Sequence, residues 1–209
     1  MQANQSPPPR NKIYRGYWVL IALAVLFIGP FVAAWSYYTS GNNWVPSKIN
    51  YGELLTPVRS IKPLSLTTAD GGSFATDNLA GKWSLLFIEP NVCKEACQQT
   101  LYNIRQARLA LGENMERVQR YIATLPNIQQ PTQFQQELSK KFAGTEHVQV
   151  GATPEQLAQQ FATNTQALNL GQIYLIDPLG NIIMRYPATI GPEAIYNDLK
   201  RLLKVSQIG

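Results

Sequence analysis

Histidine and cysteine are almost missing from this chain, which has one histidine, His147, and two cysteines, Cys93 and Cys97, among 209 residues. A single histidine leaves nearly nothing from which to assemble a Ser-His or Cys-His triad. No glycine-rich phosphate loop occurs. The carboxylates are scattered, without the paired spacing that acid–base catalysis uses. Charge is scarce too, at 15% of residues, and the formal net charge of +5 divides unevenly. Arg10, Lys12 and Arg15 precede a long uncharged segment and no acid does, so the remainder holds 15 basic and 13 acidic residues, a net +2. A weakly charged domain with no basic stripe between aromatics gives no footprint for a phosphate backbone, and nucleic acid is set aside as a partner.

From Gly16 to Ser47 no residue is charged, and the most apolar part, WVLIALAVLFIGPFVAAW, runs from Trp18 to Trp35. Tyr17 and Trp18 flank one end; Trp35, Tyr37 and Tyr38 flank the other. A hydrocarbon core takes about 20 helical residues, and aromatic rings prefer its interfaces, so this reads as a transmembrane helix. The basic residues before it place the N-terminus in the cytoplasm and everything after about Ser40 on the other side. In a bacterium that is the inner membrane, with the main domain in the periplasm. The alternative is a cleaved signal peptide, with Val32-Ala33-Ala34 as the small-residue cleavage site. Either way the domain is exported, into a compartment where a cysteine pair can persist as a disulfide.

The pattern divides the chain into residues 1–15, a disordered cytoplasmic tail; 16–38, the transmembrane helix; 39–60, an irregular juxtamembrane linker; and 61–207, the exported domain. Asp70-Gly71-Gly72 is a hairpin turn signal within a weakly alternating stretch. Trp83 to Glu89, ended by Pro90, is a continuous apolar run of the kind found in a central strand covered on both faces. The segment holding the cysteines follows, and Cys97, Leu101, Ile104, Ala107 and Leu111 share a helical face closed by Gly112. A strand is predicted over Glu116–Leu125, a helix over 132–143, a short strand over His147–Gly151 and a helix from Pro154 to Thr163. The Gln-rich patch at 128–136 reads as solvated surface. Asp177-Pro178-Leu179-Gly180 joins two apolar, β-branched runs as a hairpin, and a helix opens at Pro192. Parallel strands joined by helices, then an antiparallel hairpin and a closing helix, give an α/β fold of thioredoxin-like type, a mixed central sheet flanked by helices.

Gly71-Gly72-x-Phe74, Leu79-Ala80-Gly81-Lys82, the apolar strand, the Cys-x3-Cys pair and Tyr174-Leu175-Ile176-Asp177-Pro178-Leu179-Gly180 together resemble the Sco/SenC family. These are membrane-anchored, thioredoxin-like proteins that help to build the copper centre of cytochrome c oxidase. The resemblance spans roughly residues 60–205. It implies a role in oxidase assembly, a cytochrome c oxidase subunit or another assembly factor as partner, and copper held by Cys93 and Cys97. Two positions depart from the family. Lys94-Glu95-Ala96 stands where the family has proline after the first cysteine, and Asn169 stands where it has its third copper ligand, a histidine.

Residue chemistry leaves several readings of the pair open. Two cysteines at i,i+4 in a first helical turn project to one side, about 6 Å apart at Cα, which a disulfide tolerates. Helix N-terminal amides and Lys94 favour a thiolate, while Glu89 opposes it. Catalytic thiol–disulfide exchange by Cys93 and Cys97, copper(I) binding by the same sulfurs, and a structural disulfide in a non-catalytic scaffold all fit. His147 is expected at the N-terminal end of its strand, on the edge of the sheet away from the cysteines. Met115 and Met184 read as packing, and Asp177 as a turn residue.

Overall fold

The computed structural model describes residues 13–39, 50–62, 64–68, 71–79, 81–151, 170–206 and 208. The chain divides into two compact units, residues 1–48 and 49–209. In the first, helix α1 (Ile13–Thr39) runs through Pro30 without breaking. Its Gly16–Tyr37 stretch of 22 residues has a mean hydropathy of 2.3. At 1.5 Å per residue that is about 33 Å, against a hydrocarbon core of about 30 Å. The helix is therefore long and apolar enough to cross a membrane. Its large side chains, Trp18, Phe27, Phe31 and Trp35 among them, are exposed.

The second unit is built on one eight-stranded sheet. Its strands are β1 (Glu53–Ser60), β2 (Leu66–Thr68), β3 (Ser73–Phe74), β4 (Trp83–Glu89), β5 (Val118–Thr124), β6 (Thr145–Val150), β7 (Gln172–Ile176) and β8 (Asn181–Pro187). They lie in the order β1-β8-β7-β4-β5-β6-β2-β3. The central three, β4, β5 and β6, are parallel; every other pairing is antiparallel. All seven residues of β4 are buried, as its unbroken apolar run requires of a strand covered on both faces.

Alternation along the strands sends side chains to two cores. Trp83, Leu85, Phe87, Ile122, Ile173 and Leu175 face one side. There they meet α2 (Glu95–Leu109), α3 (Thr132–Lys141) and α4 (Pro192–Val205). The helices contribute Leu101, Ile104 and Ala107 from α2, Phe134 and Leu138 from α3, and Ile195, Leu199 and Leu203 from α4. Burying each large aliphatic side chain contributes about 1.5–3 kcal/mol, and this face fixes where α2 begins against the sheet. On the other side Leu86, Ile88, Tyr121, Tyr174 and Ile176 pack with Leu55, Ile61, Leu66, Phe74 and Leu79. The mixed sheet with flanking helices is the thioredoxin-like architecture read from the sequence. The helix read at 154–163 lies outside the described residues.

One reading is corrected. Residues 53–60 are not irregular linker: they form β1, an edge strand paired with β8. Leu55 is the only fully buried residue of β1, so the strand carries no apolar alternation to betray it. Its position is set instead by backbone pairing and by Asp198 of α4. The Asp198 carboxylate, 1% exposed, accepts the N–H groups of Tyr51 (3.0 Å) and Gly52 (2.8 Å) and the Tyr186 hydroxyl (3.3 Å). Gly52 lies so close to Tyr186 that a Cβ would come within 2.5 Å of the ring.

Candidate thiol–disulfide site

The site is made where β4 runs out. Glu89 is its last residue, Pro90 carries no N–H with which to extend the ladder, and Asn91 to Cys93 turn the chain into α2. Lys94 is the N-cap and gives no side-chain hydrogen bond, so Glu95, Ala96 and Cys97 form an uncapped first turn. Their amides carry the partial positive charge of a helix N-terminus. Cys93 and Cys97 are joined in a disulfide, with 5.2 Å between Cα atoms, as i,i+4 geometry allows. Both are buried, at 9% and 3% exposure, and pack in the same core as Phe87 and Leu101.

Three hydrogen bonds tie the turn down. Asn91 N–H donates to Glu89 Oε1 at 3.0 Å. Cys93 N–H donates to Gln130 Oε1 at 3.0 Å, and Gln130 Nε2 donates to Asn91 O at 3.1 Å. Gln130 arrives from the loop between β5 and α3. On the opposite flank, Gly171 N–H donates to Ile88 O at 2.8 Å. Beside the turn lies a cleft of about 470 Å³ lined by Glu89, Asn91, Val92, Lys94, Ala96 and Cys97. Burial pushes the Glu89 carboxyl above the usual glutamate range, partly offset by the Asn91 N–H. The cleft thus sets a hard-to-ionise carboxyl and a lysine beside one sulfur-bearing residue.

His147 is placed differently from the sequence reading. β6 begins at Thr145, so His147 stands within the strand rather than at its end. Its Nε2 lies 2.9 Å from Thr124 Oγ1, its Nδ1 meets Gln135 Nε2, and its ring stands edge-on to Phe134 at 5.3 Å. Thr124 is the register partner of Glu89, so the imidazole leans toward the cysteine-bearing edge of the sheet. All its hydrogen-bond partners are nonetheless accounted for without the cysteines, and burial holds its pKa below the ordinary value.

Met184 is buried in the core and Met115 packs against it, as expected of packing residues. Asp177 accepts the N–H groups of Leu179 and Asn181 and holds the β7–β8 turn. Asn169 lies outside the described residues. Among the described residues no three His, Cys, Asp or Glu side chains gather as a metal site. The two sulfurs, freed by reduction, suit copper(I) as soft ligands, but the described residues add no third donor.

Sequence reasoning missed Gln130. A Gln-rich patch reads as solvated surface, and nothing in its composition says which glutamine turns inward. Gln135 from the same patch and Glu137 just beyond it also make specific contacts, with His147 and with Gln98 of α2.

With this geometry the chain can be set beside known proteins. Residues 83–206 match the family described as transmembrane-like, thioredoxin-like, C-terminal domain. The chain belongs to that family. This transmembrane-like, thioredoxin-like domain is also similar in fold to solved Sco proteins. The apo Sco1 protein from Thermus thermophilus is 20% identical with a TM-score of 0.56, over 73% of this chain and 96% of that one. Yeast Sco1 with copper bound is 17% identical with a TM-score of 0.53, over 68% and 91%. Arabidopsis thaliana ScoI with copper bound is 19% identical with a TM-score of 0.52, over 74% and 99%. No curated protein matches the chain. The Sco resemblance read from the motifs thus holds for the fold of the family's C-terminal domain.

Proposed function

We propose that this protein is a membrane-anchored, Sco-like factor in cytochrome c oxidase assembly that acts by thiol–disulfide exchange through Cys93 and Cys97. Its N-terminus is cytoplasmic and its main domain periplasmic, facing a copper-site cysteine pair on an oxidase subunit. One observation carries the reading: the only two cysteines form a disulfide at an uncapped helix N-terminus, beside a cleft at the end of the central strand.

In the reduced protein, Cys93 as thiolate attacks one sulfur of the partner disulfide, and the partner's other sulfur leaves as a thiolate. Cys97 then loses its proton and attacks Cys93 Sγ. The bond between Cys93 and the partner breaks, and its electron pair leaves on the partner's sulfur. The partner gains two electrons and becomes a dithiol; this chain loses two and returns to the disulfide. Helix amides and Lys94 favour the thiolate that starts the sequence, whereas the Glu89 carboxylate disfavours it. No step passes through copper.

A second reading is favoured by the burial of both cysteines: a non-catalytic assembly scaffold whose disulfide is structural. Two measurements separate them. A Cys93→Ser chain that fully restores oxidase activity in a deletion strain sinks the exchange reading. A redox midpoint near ~−180 to −230 mV supports it, and one below ~−300 mV supports the scaffold.

A further inference from the structure

The disulfide turn is held by a residue that belongs to neither β4 nor α2. Gln130 lies 37 positions after Cys93, on the loop between β5 and α3, yet its amide grips the turn twice. Its Oε1 takes the Cys93 N–H at 3.0 Å and its Nε2 gives to Asn91 O at 3.1 Å. The two bonds straddle Val92 and fix the stretch of backbone that carries Cys93.

We infer that Gln130 is the positioning residue of the cysteine pair, a clamp that holds residues 91–93 in the closed geometry and so favours the disulfide over the dithiol. The inference deepens the exchange reading and rests on it for its functional meaning, but the clamp is a property of the geometry. Reduction replaces a bond by two sulfurs at non-bonded distance, a separation shared between rotation of the two side chains and a shift of the turn. A turn anchored at both Asn91 and Cys93 resists opening. Charge acts in the same direction. In the disulfide the Cys93 sulfur is neutral, and a carbonyl oxygen on its own N–H costs nothing. A thiolate on Cys93, the species the exchange reading calls for, cannot draw on its own N–H while Gln130 Oε1 holds it. Because the clamp comes from a separate loop, a partner that draws residues 125–131 away would release the pair for reduction without touching sulfur.

The test is the redox midpoint of Cys93–Cys97 in the full chain in detergent micelles, by thiol trapping across glutathione and dithiothreitol buffers. Gln130→Met keeps the bulk and removes both hydrogen bonds. Its disulfide is expected to be about fivefold to tenfold easier to reduce, a midpoint roughly 20–30 mV less negative. A shift of less than twofold, or one toward harder reduction, overturns the inference; a clamp that only supports the fold would move the melting temperature and leave the midpoint in place. Gln130→Glu keeps the acceptor for the Cys93 N–H but loses the donor to Asn91 O, so it retains half the clamp and its midpoint is expected between those of wild type and the Met variant. A Glu variant as easily reduced as the Met variant also overturns the clamp. Failure of the exchange reading shows elsewhere, as a wild-type midpoint below ~−300 mV, where dithiothreitol buffers still register any effect of Gln130.

Discussion

Reduction of the Cys93–Cys97 disulfide is expected to leave the domain folded, and the size of the effect follows from the loop it closes. A disulfide stabilises mainly by removing loop entropy from the unfolded chain, by about 2.1 + 1.5R ln n cal/mol/K for a loop of n residues. The cysteines are 4 positions apart. With n of about 4, the entropy is roughly 6.2 cal/mol/K, or about 1.9 kcal/mol at 25 °C. A disulfide closing a loop of a hundred residues would give about 4.7 kcal/mol by the same relation. The freed thiols stay in the apolar core with Phe87, Leu101 and Ile104, so little burial is lost. For the domain from Ile49 onward, with a urea m-value near 2 kcal/mol/M, the midpoint should fall by about 1 M on reduction. The assay is urea unfolding followed by tryptophan fluorescence, with and without dithiothreitol. A reduced domain that is unfolded without urea, or a loss above ~4 kcal/mol, would refute the reasoning and mark the disulfide as a structural staple. A small loss is what a centre that cycles between dithiol and disulfide requires.

Three further outcomes are expected. Asp198→Ala strands the buried Gly52 N–H and Tyr186 hydroxyl and the part-buried Tyr51 N–H and should cost about 3–5 kcal/mol in urea unfolding, with Asp198→Asn costing less; a loss below ~1 kcal/mol for the alanine variant would contradict the role assigned to this carboxylate. Glu89 has a raised carboxyl pKa in the folded state, so what it contributes is fully present below the unfolded value near ~4.3 and is lost as pH rises through the folded one. Glu89→Gln, which keeps an acceptor for the Asn91 N–H, should therefore be more stable than wild type at pH 7 and no better at pH 4; a pH-independent difference rejects this. His147 is held neutral by burial, so wild-type stability should decline as pH falls below ~6.5 toward its lowered folded value. His147→Gln should flatten that limb, and parallel wild-type and variant curves from pH 7 to 5 would count against it.

Much of the fold was legible because its signals are local. The β4 run, the face of α2 shared by Cys97, Leu101 and Ile104, and the Asp177–Gly180 turn each depend on residues a few positions apart. Elements whose placement rests on distant partners were not legible. β1 buries only Leu55 and takes its position from β8 and from the Asp198 carboxylate, so its sequence looks like linker. The place of His147 inside β6 is not legible either, because the start of the strand at Thr145 leaves no compositional mark.

By itself the sequence determined a long apolar helix, a thioredoxin-like order of strands and helices, and a cysteine pair at the start of a helix. Hydrophobic periodicity and turn chemistry act over one to a few turns of chain, and they are written in adjacent residues. Only the tertiary structure decided that the β2–β3 hairpin docks on β6, that a glutamine 37 positions away grips the cysteine turn, and that Glu89 and Cys97 line one cleft. Those arrangements come from backbone pairing and side-chain hydrogen bonds between segments far apart in sequence, and such contacts leave no periodic trace in either segment alone.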